Sequence, residues 1–314
     1  MPKVLFADYD YHEIALERSI LEGAGCELVV AQCRSEDEVI AAARDCAAIL
    51  LQYAPITARV IAALPSLGLV SRIGAGFDTV DTDAARAHGV WVTNSPDYGV
   101  GEVATHALAL ALASIRNVVA YDRDVRAGKW HFLSSGTIPR ASRLTLGIVG
   151  LGRIGKRMAH VSRDVFGRVV AFDPYLIDGD FPAYVERMPT LASLAAAADV
   201  VSLHTPLSEA TRGLISRERL ALLRDGATLV NTARGAVVDE DALVDELESG
   251  RIGAGLDVFV HEPHVPERLR GLPNVVLTPH IASSTVETRA AMTRCVVDNV
   301  LAFARGEPLP TPVS

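Results

Sequence analysis

The chain has 314 residues, of which 49% are hydrophobic, and a formal net charge of −8. This length predicts two domains, and the apolar content is sufficient for two sizeable cores. The acidic balance and the lack of any basic run argue against general binding to nucleic acid or to anionic membranes, because phosphate groups are bound by clustered Lys and Arg.

The cysteines and the N-terminus indicate the compartment. Cys26, Cys33, Cys46 and Cys295 form no Cys-x-x-Cys pair and fit no zinc spacing, so we expect free thiols and no metal. The N-terminal MPKVLFADYD enters a strand pattern directly, which predicts no signal peptide. The longest apolar stretch, 103–115, is too short to span a bilayer. Together these features predict a cytoplasmic protein.

The first third of the chain alternates between short apolar runs and segments with helical spacing. The runs at 3–8, 27–32, 47–53, 68–74 and 90–94 predict strands, and the segments at 11–25, 35–46, 57–64 and 81–89 predict helices. Such alternation is typical of a parallel, doubly wound sheet.

A long helix is predicted over 100–120, followed by a polar stretch, 122–143, with one short helix. Strand–helix alternation restarts at 144, and a last helix over 284–306 ends at a glycine. We therefore expect an α/β protein with two doubly wound parallel-sheet domains. The predicted domains are 1–98 with 286–314, and 99–285, the last helix returning to the first domain.

A glycine-rich turn follows the first strand of the second region. GIVGLGRIG places Gly150, Gly152 and Gly155 between an apolar strand and an amphipathic helix, and the next strand ends in Asp173. The glycines would permit a tight turn, close approach of a pyrophosphate, and close helix–strand packing. The helix N-terminus favours phosphate groups. Asp173 can bind the ribose hydroxyls and would repel a 2′-phosphate, which favours NAD over NADP.

Three polar residues follow apolar strands of this region: Arg234 after ATLVN, Glu262 after GLDVF and His280 after NVVLTP. Because the carboxyl ends of parallel strands share one edge, we expect them beside the dinucleotide. A guanidinium there can hold a carboxylate or polarise a carbonyl. His280 is a candidate acid/base that Glu262 would orient and keep protonated. Taken singly, each has a plainer interpretation: a capping arginine, a surface glutamate, a loop histidine.

The motifs GxGxxG with Asp173, NTARG, GLDVFVHEP, LTPH and PLSEATRGLI together resemble the D-isomer-specific 2-hydroxyacid dehydrogenases over nearly the whole chain. The resemblance implies a flavodoxin-like substrate domain, a Rossmann cofactor domain and a cleft between them. It implies that Arg234, Glu262 and His280 are catalytic, with NAD as cofactor. It implies that the following residues also contact the cofactor: Arg153, Ile154, His204, Thr205, Pro206, Thr211, Thr232, Ala233, Asp257 and Ser283.

The same resemblance implies that the backbone amides of Ala75 and Gly76 cradle the substrate carboxylate, with Arg72 and Tyr53 nearby. Within the family, SRIGAGFDTVD (71–81) and 94–113 look closest to the branch of C-terminal binding protein. Gly101-Glu102 stands where that branch usually has two acidic residues. Ser283 stands where those proteins carry a tryptophan that lines the pocket, which argues for a different or roomier substrate.

The resulting hypothesis is hydride transfer between NADH and a small 2-keto acid or D-2-hydroxy acid in a homodimer. Two alternatives stay open: a related anion such as a phosphonate-bearing keto acid or phosphite, and a dinucleotide-sensing binding protein with little turnover. The helix near 100–120 and the following arm, which contains Trp130, are plausible dimer contacts. His106 is expected to serve packing or to line the cofactor cleft.

Overall fold

A computed structural model describes residues 2–11 and 13–313. The chain divides into two compact units, Met1–Tyr98 with Thr285–Ser314, and Gly99–Ser284. Met1, His12 and Ser314 lie outside the described residues, so the predicted helix start at 11–14 is described only in part. The assignment of substrate to the first unit and cofactor to the second remains a prediction.

The first unit contains a five-stranded parallel sheet in the order β2-β1-β3-β4-β5. Its strands are β1 (Lys3–Phe6), β2 (Glu27–Val30), β3 (Ala48–Leu51), β4 (Leu69–Arg72) and β5 (Trp91–Thr93). The helices between them are α1 (Ala15–Gly23), α2 (Glu36–Ala42), α3 (Ala58–Ala63) and α4 (Thr82–Ala87). All four residues of β3 are buried, as expected for a strand covered on both faces. The strand order is flavodoxin-like and reverses between β1 and β3, where such sheets bind their ligands.

The second unit contains a seven-stranded parallel sheet in the order β12-β11-β10-β9-β6-β7-β8. Its strands are β6 (Thr145–Val149), β7 (Arg168–Phe172), β8 (Glu186–Arg187), β9 (Val200–Leu203), β10 (Thr228–Asn231), β11 (Gly253–Leu256) and β12 (Val275–Leu277). Its helices are α5 (Val100–Ile115), α6 (Val118–Arg126), α7 (Arg153–Ser162), α8 (Leu191–Ala197), α9 (Arg217–Ala221), α10 (Glu240–Glu248) and α11 (Glu267–Arg270). This is the Rossmann strand order with one strand added. The predicted fold class of two parallel-sheet α/β domains is confirmed.

The prediction of one long helix over 100–120 is wrong. Helix α5 ends at Ile115, and α6 starts at Val118 with a bend of 59° between the two helices. Asn117 has a φ of +51°, a left-handed conformation that asparagine tolerates better than most residues and that ends a right-handed helix. Among the described residues, no single helix meets the length and hydropathy of a membrane span, although this bent pair does so jointly.

The C-terminal helix α12 (Val286–Arg305) packs within the first unit. Thr285 caps its start reciprocally with Thr288, and Gly306, at a φ of +68°, ends it. Val296 and Val300 are fully buried in the same core as Phe6 on β1. Both faces of each sheet are therefore covered, and the polar loops lie at the ends of the strands.

Candidate active site

The three glycines of the turn between β6 and α7 have different steric surroundings. Gly150 has a φ of +88°, and a Cβ there would lie 2.9 Å from the carbonyl oxygen of His204. A Cβ on Gly155 would lie 2.1 Å from the carbonyl oxygen of Gly150, so the helix can approach the strand only without a side chain. A Cβ on Gly152 would have no atom within 4 Å. The protein therefore does not itself require glycine at position 152, whereas close approach of a ligand does.

Asp173 is fixed against this turn. One carboxylate oxygen accepts the N–H of Leu151 at 2.9 Å, and the other accepts the N–H of Tyr175 at 3.0 Å. Each carboxylate oxygen can accept more than one hydrogen bond, so both can still bind hydroxyl groups. The carboxylate thus lies in the position that the sequence predicts for recognition of a ribose.

The loops after β9 and β10 carry the other residues expected beside a cofactor. His204 contacts the Ser202 hydroxyl at 2.9 Å, and burial lowers the pKa of its imidazole to about 4, so it is neutral at physiological pH. Thr211 donates to the carbonyl oxygen of Pro206 at 2.6 Å, which closes its own loop. The hydroxyls of Thr205 and Thr232 are buried without a hydrogen-bond partner in the described part of the chain.

Buried hydroxyls without a partner are costly in a protein interior, so these two threonines indicate a polar ligand. They flank the carboxyl ends of β9 and β10, the two strands next to β6 on this side of the sheet. Gly152 leaves room for a ligand beside the backbone, and the carboxylate of Asp173 adds hydrogen-bond acceptors to the two hydroxyls. Together these features fit a dinucleotide. Arg153 at the exposed start of α7 and the half-buried Ile154 belong to the same turn.

Arg234 lies three residues after the end of the buried strand β10 and directly precedes a short 3-10 helix, Gly235–Val237. The side chain of Asn231 holds this bend, because its amide donates to the carbonyl oxygen of Arg234 at 2.9 Å and its oxygen accepts the N–H of Ala233 at 3.0 Å. A Cβ on Gly235 would lie 2.1 Å from the carbonyl carbon of Phe259. Glycine here therefore lets the loop after β11 approach the loop that carries Arg234.

Glu262 and His280 form a hydrogen-bonded pair with 2.6 Å between the carboxylate Oε2 and the imidazole Nδ1. Each side chain is 29% exposed. Burial raises the pKa of the Glu262 carboxyl, but the hydrogen bond and charge of His280, the Phe259 N–H and the charge of Arg234 outweigh it. The pKa of Glu262 therefore lies below its ordinary value, and the carboxylate is ionised at neutral pH. The structure thus places His280 in contact with Glu262, and Arg234 close enough for its charge to act on the same carboxylate.

Asp257 is completely buried and organises the loop that carries His280. Its carboxylate accepts the Thr278 hydroxyl at 2.6 Å and the N–H groups of Ile281 and Ala282, each at 2.9 Å. Burial raises the pKa of the Asp257 carboxyl, but hydrogen bonds from His106 and from these donors lower it by more, so its pKa lies below the ordinary value. All of these contacts are with the protein itself, so the structure shows Asp257 as a loop anchor. Ser283 follows this anchored segment and is half-buried.

Two contacts that shape the site were not predicted from the sequence, although His106 itself was expected to serve packing or to line the cofactor cleft. His106 on α5 lies 3.1 Å from the Thr278 hydroxyl and 3.6 Å from the Asp257 carboxylate, which connects α5 to the His280 loop. Gly235 allows the close loop approach described above. A glycine directly after Arg234 is a local sign that another loop approaches closely there. No local pattern links His106 to a loop that lies 150 or more residues away in sequence.

In the first unit, the residues expected to bind a substrate carboxylate lie at the carboxyl ends of β3 and β4. The Arg72 guanidinium lies against Gly74, where a Cβ would be 1.9 Å from its Nη1 atom. The loop is held by the Asn94 amide, which donates to the carbonyl oxygen of Ala75 at 2.6 Å. The N–H groups of Ala75 and Gly76 make no hydrogen bond to any residue that the structure describes. Tyr53 is half-buried in the loop after β3.

Comparison with known proteins identifies the family. The model of the D-isomer specific 2-hydroxyacid dehydrogenase NAD-binding domain matches residues 108–282. The chain belongs to the D-isomer specific 2-hydroxyacid dehydrogenase family. It is 41% identical over 288 residues to a glyoxylate reductase of Korarchaeum cryptofilum, with 89% of this chain and 86% of that protein aligned.

Two further family members bear on substrate and cofactor. A D-3-phosphoglycerate dehydrogenase of Mycobacterium tuberculosis is 38% identical over 317 residues; the alignment covers all of this chain but only 59% of that protein. The NADPH-dependent glyoxylate/hydroxypyruvate reductase of Sinorhizobium meliloti, solved with NADP and malonate, superposes with a TM-score of 0.87 at 34% identity. That match covers 100% of this chain and 97% of the solved chain.

Proposed function

We propose that the protein transfers a hydride between a nicotinamide dinucleotide and a small 2-keto acid or D-2-hydroxy acid. The observation that carries this proposal is the Glu262–His280 pair, with its 2.6 Å contact between carboxylate and imidazole. The pair lies on loops after β11 and β12, in the same unit as Arg234 and the glycine-rich turn. Reduction of a 2-keto acid requires a proton donor, a cation for the substrate and a binding turn for the dinucleotide, and all three lie at one edge of this sheet.

The cofactor would bind along the turn and strand ends of the second unit. Gly152 allows its pyrophosphate to approach the backbone, the start of α7 offers N–H groups, and Asp173 receives the ribose hydroxyls. Thr205 and Thr232 supply hydroxyl partners. The bound cofactor supplies a hydride to the carbonyl carbon in its reduced form.

The residues of the chain handle the substrate and the proton. Arg234 binds the carboxylate and polarises the carbonyl through charge-assisted hydrogen bonds. Because Glu262 occupies Nδ1 of His280, the proton that reaches the carbonyl oxygen leaves from Nε2. The ionised carboxylate of Glu262 stabilises the imidazolium before transfer and fixes the plane of the ring. In the first unit, Arg72 and the N–H groups of Ala75 and Gly76 form a set of donors that suits a carboxylate.

We further propose NAD rather than NADP as the preferred cofactor, in contrast to the NADPH-dependent reductase of Sinorhizobium meliloti. The support is the fixed carboxylate of Asp173, which would repel a 2′-phosphate. The four free cysteines are consistent with a reducing, cytoplasmic setting.

A homodimer is the proposed assembly. Trp130 is 89% exposed and Phe132 is 80% exposed in the segment after α6, and Leu133 beside them is also exposed. Clustered apolar side chains in contact with water mark protein interfaces. Light scattering is expected to show a dimer for the parent protein and monomers for Trp130→Ser combined with Phe132→Ser. A parent monomer would contradict the proposal.

The activity test follows NADH oxidation with glyoxylate, hydroxypyruvate, pyruvate, phenylpyruvate and a phosphonate-bearing keto acid, with NADPH and Arg234→Ala as controls. Turnover on one of them that is lost in the variant supports the proposal. The second candidate is a dinucleotide sensor of the C-terminal binding protein type, favoured by the exposed aromatic segment and by residues 71–81. Tight NADH binding and NADH-driven assembly without turnover would select that candidate.

A further inference from the structure

The loops after the five strands of the first sheet form its carboxyl-end face, where a doubly wound sheet binds its ligand. They span residues 7–14, 31–35, 52–57, 73–81 and 94–99. The number and charge of the anionic groups that these loops can accept limit the chemistry of the substrate.

The loop after β4 offers backbone N–H donors to an anion, whereas the N–H donors of the loop after β3 are already bound within the protein. The N–H groups of Ala75 and Gly76 are available, as described above. In the loop after β3, the N–H groups of Gln52, Tyr53 and Ala54 instead point to the carboxylate of Asp8, at 2.9, 2.7 and 3.1 Å. Asp8 is completely buried. An internal carboxylate therefore occupies the donors that a second anionic group of the substrate would need.

Three of the four helix starts at this face are also satisfied internally; the fourth, that of α1, has Ile14 at its N-cap, no side-chain cap and the acidic Glu17 in its first turn. Free N–H groups at helix N-termini are common phosphate sites. In α4 the carboxylate of Asp81 accepts the N–H of Ala84 at 2.9 Å, and in α2 the carboxylate of Glu38 accepts the N–H of Ser35 at 3.1 Å. The Thr57 hydroxyl caps α3. These three helix starts thus carry their own oxygen acceptors, two of which are negatively charged.

The charge of the face is negative. Within these loops and the adjoining end of β4, the described carboxylates are Asp8, Asp10, Glu13, Asp78, Asp81 and Asp97, and the described Lys and Arg residues are Arg34 and Arg72. Arg34 follows the edge strand β2, which β1 and β3 separate from β4 by about 14 Å at the usual strand spacing. Arg72 therefore provides one nearby cation, which suits one carboxylate. A phosphate or a second carboxylate would lie among acidic side chains.

We infer that the substrate is a monoanion, a 2-keto acid whose side chain carries no negative charge. The inference rests on the proposed function and specifies the substrate class of the same site. Phosphorylated and dicarboxylic 2-keto acids are rejected because the face of the first unit has one anion cradle, one adjacent cation and an excess of carboxylates. The second cation of the proposed site, Arg234, is already assigned to the reacting carboxylate and carbonyl. This separates the chain from the phosphoglycerate dehydrogenase with which it shares 38% identity.

Hydroxypyruvate and 3-phosphohydroxypyruvate test this directly, because they differ only by the phosphate. With NADH, kcat/KM for hydroxypyruvate is expected to exceed that for the phosphorylated compound by about 10²-fold or more. Gln52→Arg places a cation at the end of β3 and is expected to narrow the ratio about tenfold, by lowering KM for the phosphorylated compound. Gln52→Met is the matched control, because both variants lose the hydrogen bond from the N–H of Asp10 at 3.0 Å.

Equal kcat/KM values, or a preference for the phosphorylated compound, would overturn the inference and leave the proposed function standing. A ratio that shifts equally in Gln52→Arg and Gln52→Met would also count against it. If neither compound is turned over, affinity decides the inference, and the other keto acids of the panel decide the proposed function. Quenching of bound NADH fluorescence measures that affinity, and tighter binding of 3-phosphohydroxypyruvate would refute a monoanion site.

Discussion

Asp257 holds His280 in place through the backbone on both sides of that residue. The carbonyl oxygen of Asp257 accepts the N–H of His280 at 2.8 Å, and its carboxylate accepts the next two N–H groups at 2.9 Å each. His280 itself has a φ of +54°, a left-handed conformation that costs energy for a non-glycine residue. Three hydrogen bonds to one buried residue thus maintain a strained backbone that directs the imidazole towards Glu262.

Asp257→Asn is expected to lower both stability and turnover. The amide keeps the shape of the carboxylate but turns one acceptor into a donor that faces a backbone N–H, so we expect a loss of about 2 kcal/mol in the free energy of unfolding. Turnover should fall because the His280 backbone is no longer held. Denaturant titration and kcat measure the two effects. Thr278→Val removes one donor to the carboxylate together with the contact between the hydroxyl and His106, and should cost about 1 kcal/mol. Equal losses in both variants would contradict the role given to the charge.

His280→Ala is expected to reduce kcat by about 10²–10⁴-fold while leaving NADH affinity nearly unchanged, because the variant loses the proton donor alone. His280→Asn is the matched variant, since asparagine accepts the left-handed backbone at this position better than alanine does. Fluorescence titration with NADH and steady-state kinetics separate the two quantities. Turnover that is unchanged in both variants would show that the proton comes from another group.

Glu262→Gln is expected to change the pH profile of stability rather than the binding of NADH. Glutamine cannot ionise, so the variant should lose the stabilisation that depends on the ionised carboxylate, and denaturant titration across pH should show a free energy of unfolding that changes less with pH than in the parent protein. Because the pKa of Glu262 is lowered in the fold, the stabilisation from its ionised form is complete above the ordinary carboxyl pKa. It is lost as pH falls through the lowered value. The parent protein should therefore keep this contribution between pH 7 and 5, and a profile identical in the variant would exclude an electrostatic role.

Features that depend on neighbouring residues could be predicted from the sequence, whereas contacts between residues far apart in the chain could not. The alternation of strands and helices followed from local periodicity. The expectation that Arg234, Glu262 and His280 lie in one region followed from the same alternation, because parallel strands bring their carboxyl ends to one edge. The break at Asn117 was missed because the apolar pattern continues across it, and only the left-handed backbone ends the helix. The contacts of Asp8 with 52–54 also escaped prediction, since a buried carboxylate that binds a distant backbone leaves no periodic signal.

Two glycine variants separate folding from cofactor binding. In Gly152→Ala the new methyl group has no protein atom within 4 Å, so stability should change by less than about 1 kcal/mol. NADH affinity should fall at least about tenfold, because the methyl group stands where the pyrophosphate approaches. In Gly155→Ala the methyl group would meet a backbone oxygen, so the protein itself should be destabilised by several kcal/mol. Thermal unfolding and NADH titration distinguish the two, and a Gly152→Ala protein with parental affinity would refute the proposed cofactor path.

Asp173→Asn tests the cofactor preference and keeps one of the two backbone hydrogen bonds of the side chain, because its NH2 group would face the N–H of either Leu151 or Tyr175. The asparagine oxygen can still accept the N–H of Leu151, which Asp173 binds at 2.9 Å, while the negative charge is removed. The ratio of kcat/KM for NADH over NADPH should therefore fall by about tenfold or more, mainly through a lower KM for NADPH. Asp173→Ser removes the charge and shortens the side chain, so a larger loss of NADH affinity in this variant would report the hydrogen bonds to the ribose. A parent protein that prefers NADPH would show that the carboxylate of Asp173 serves the turn alone.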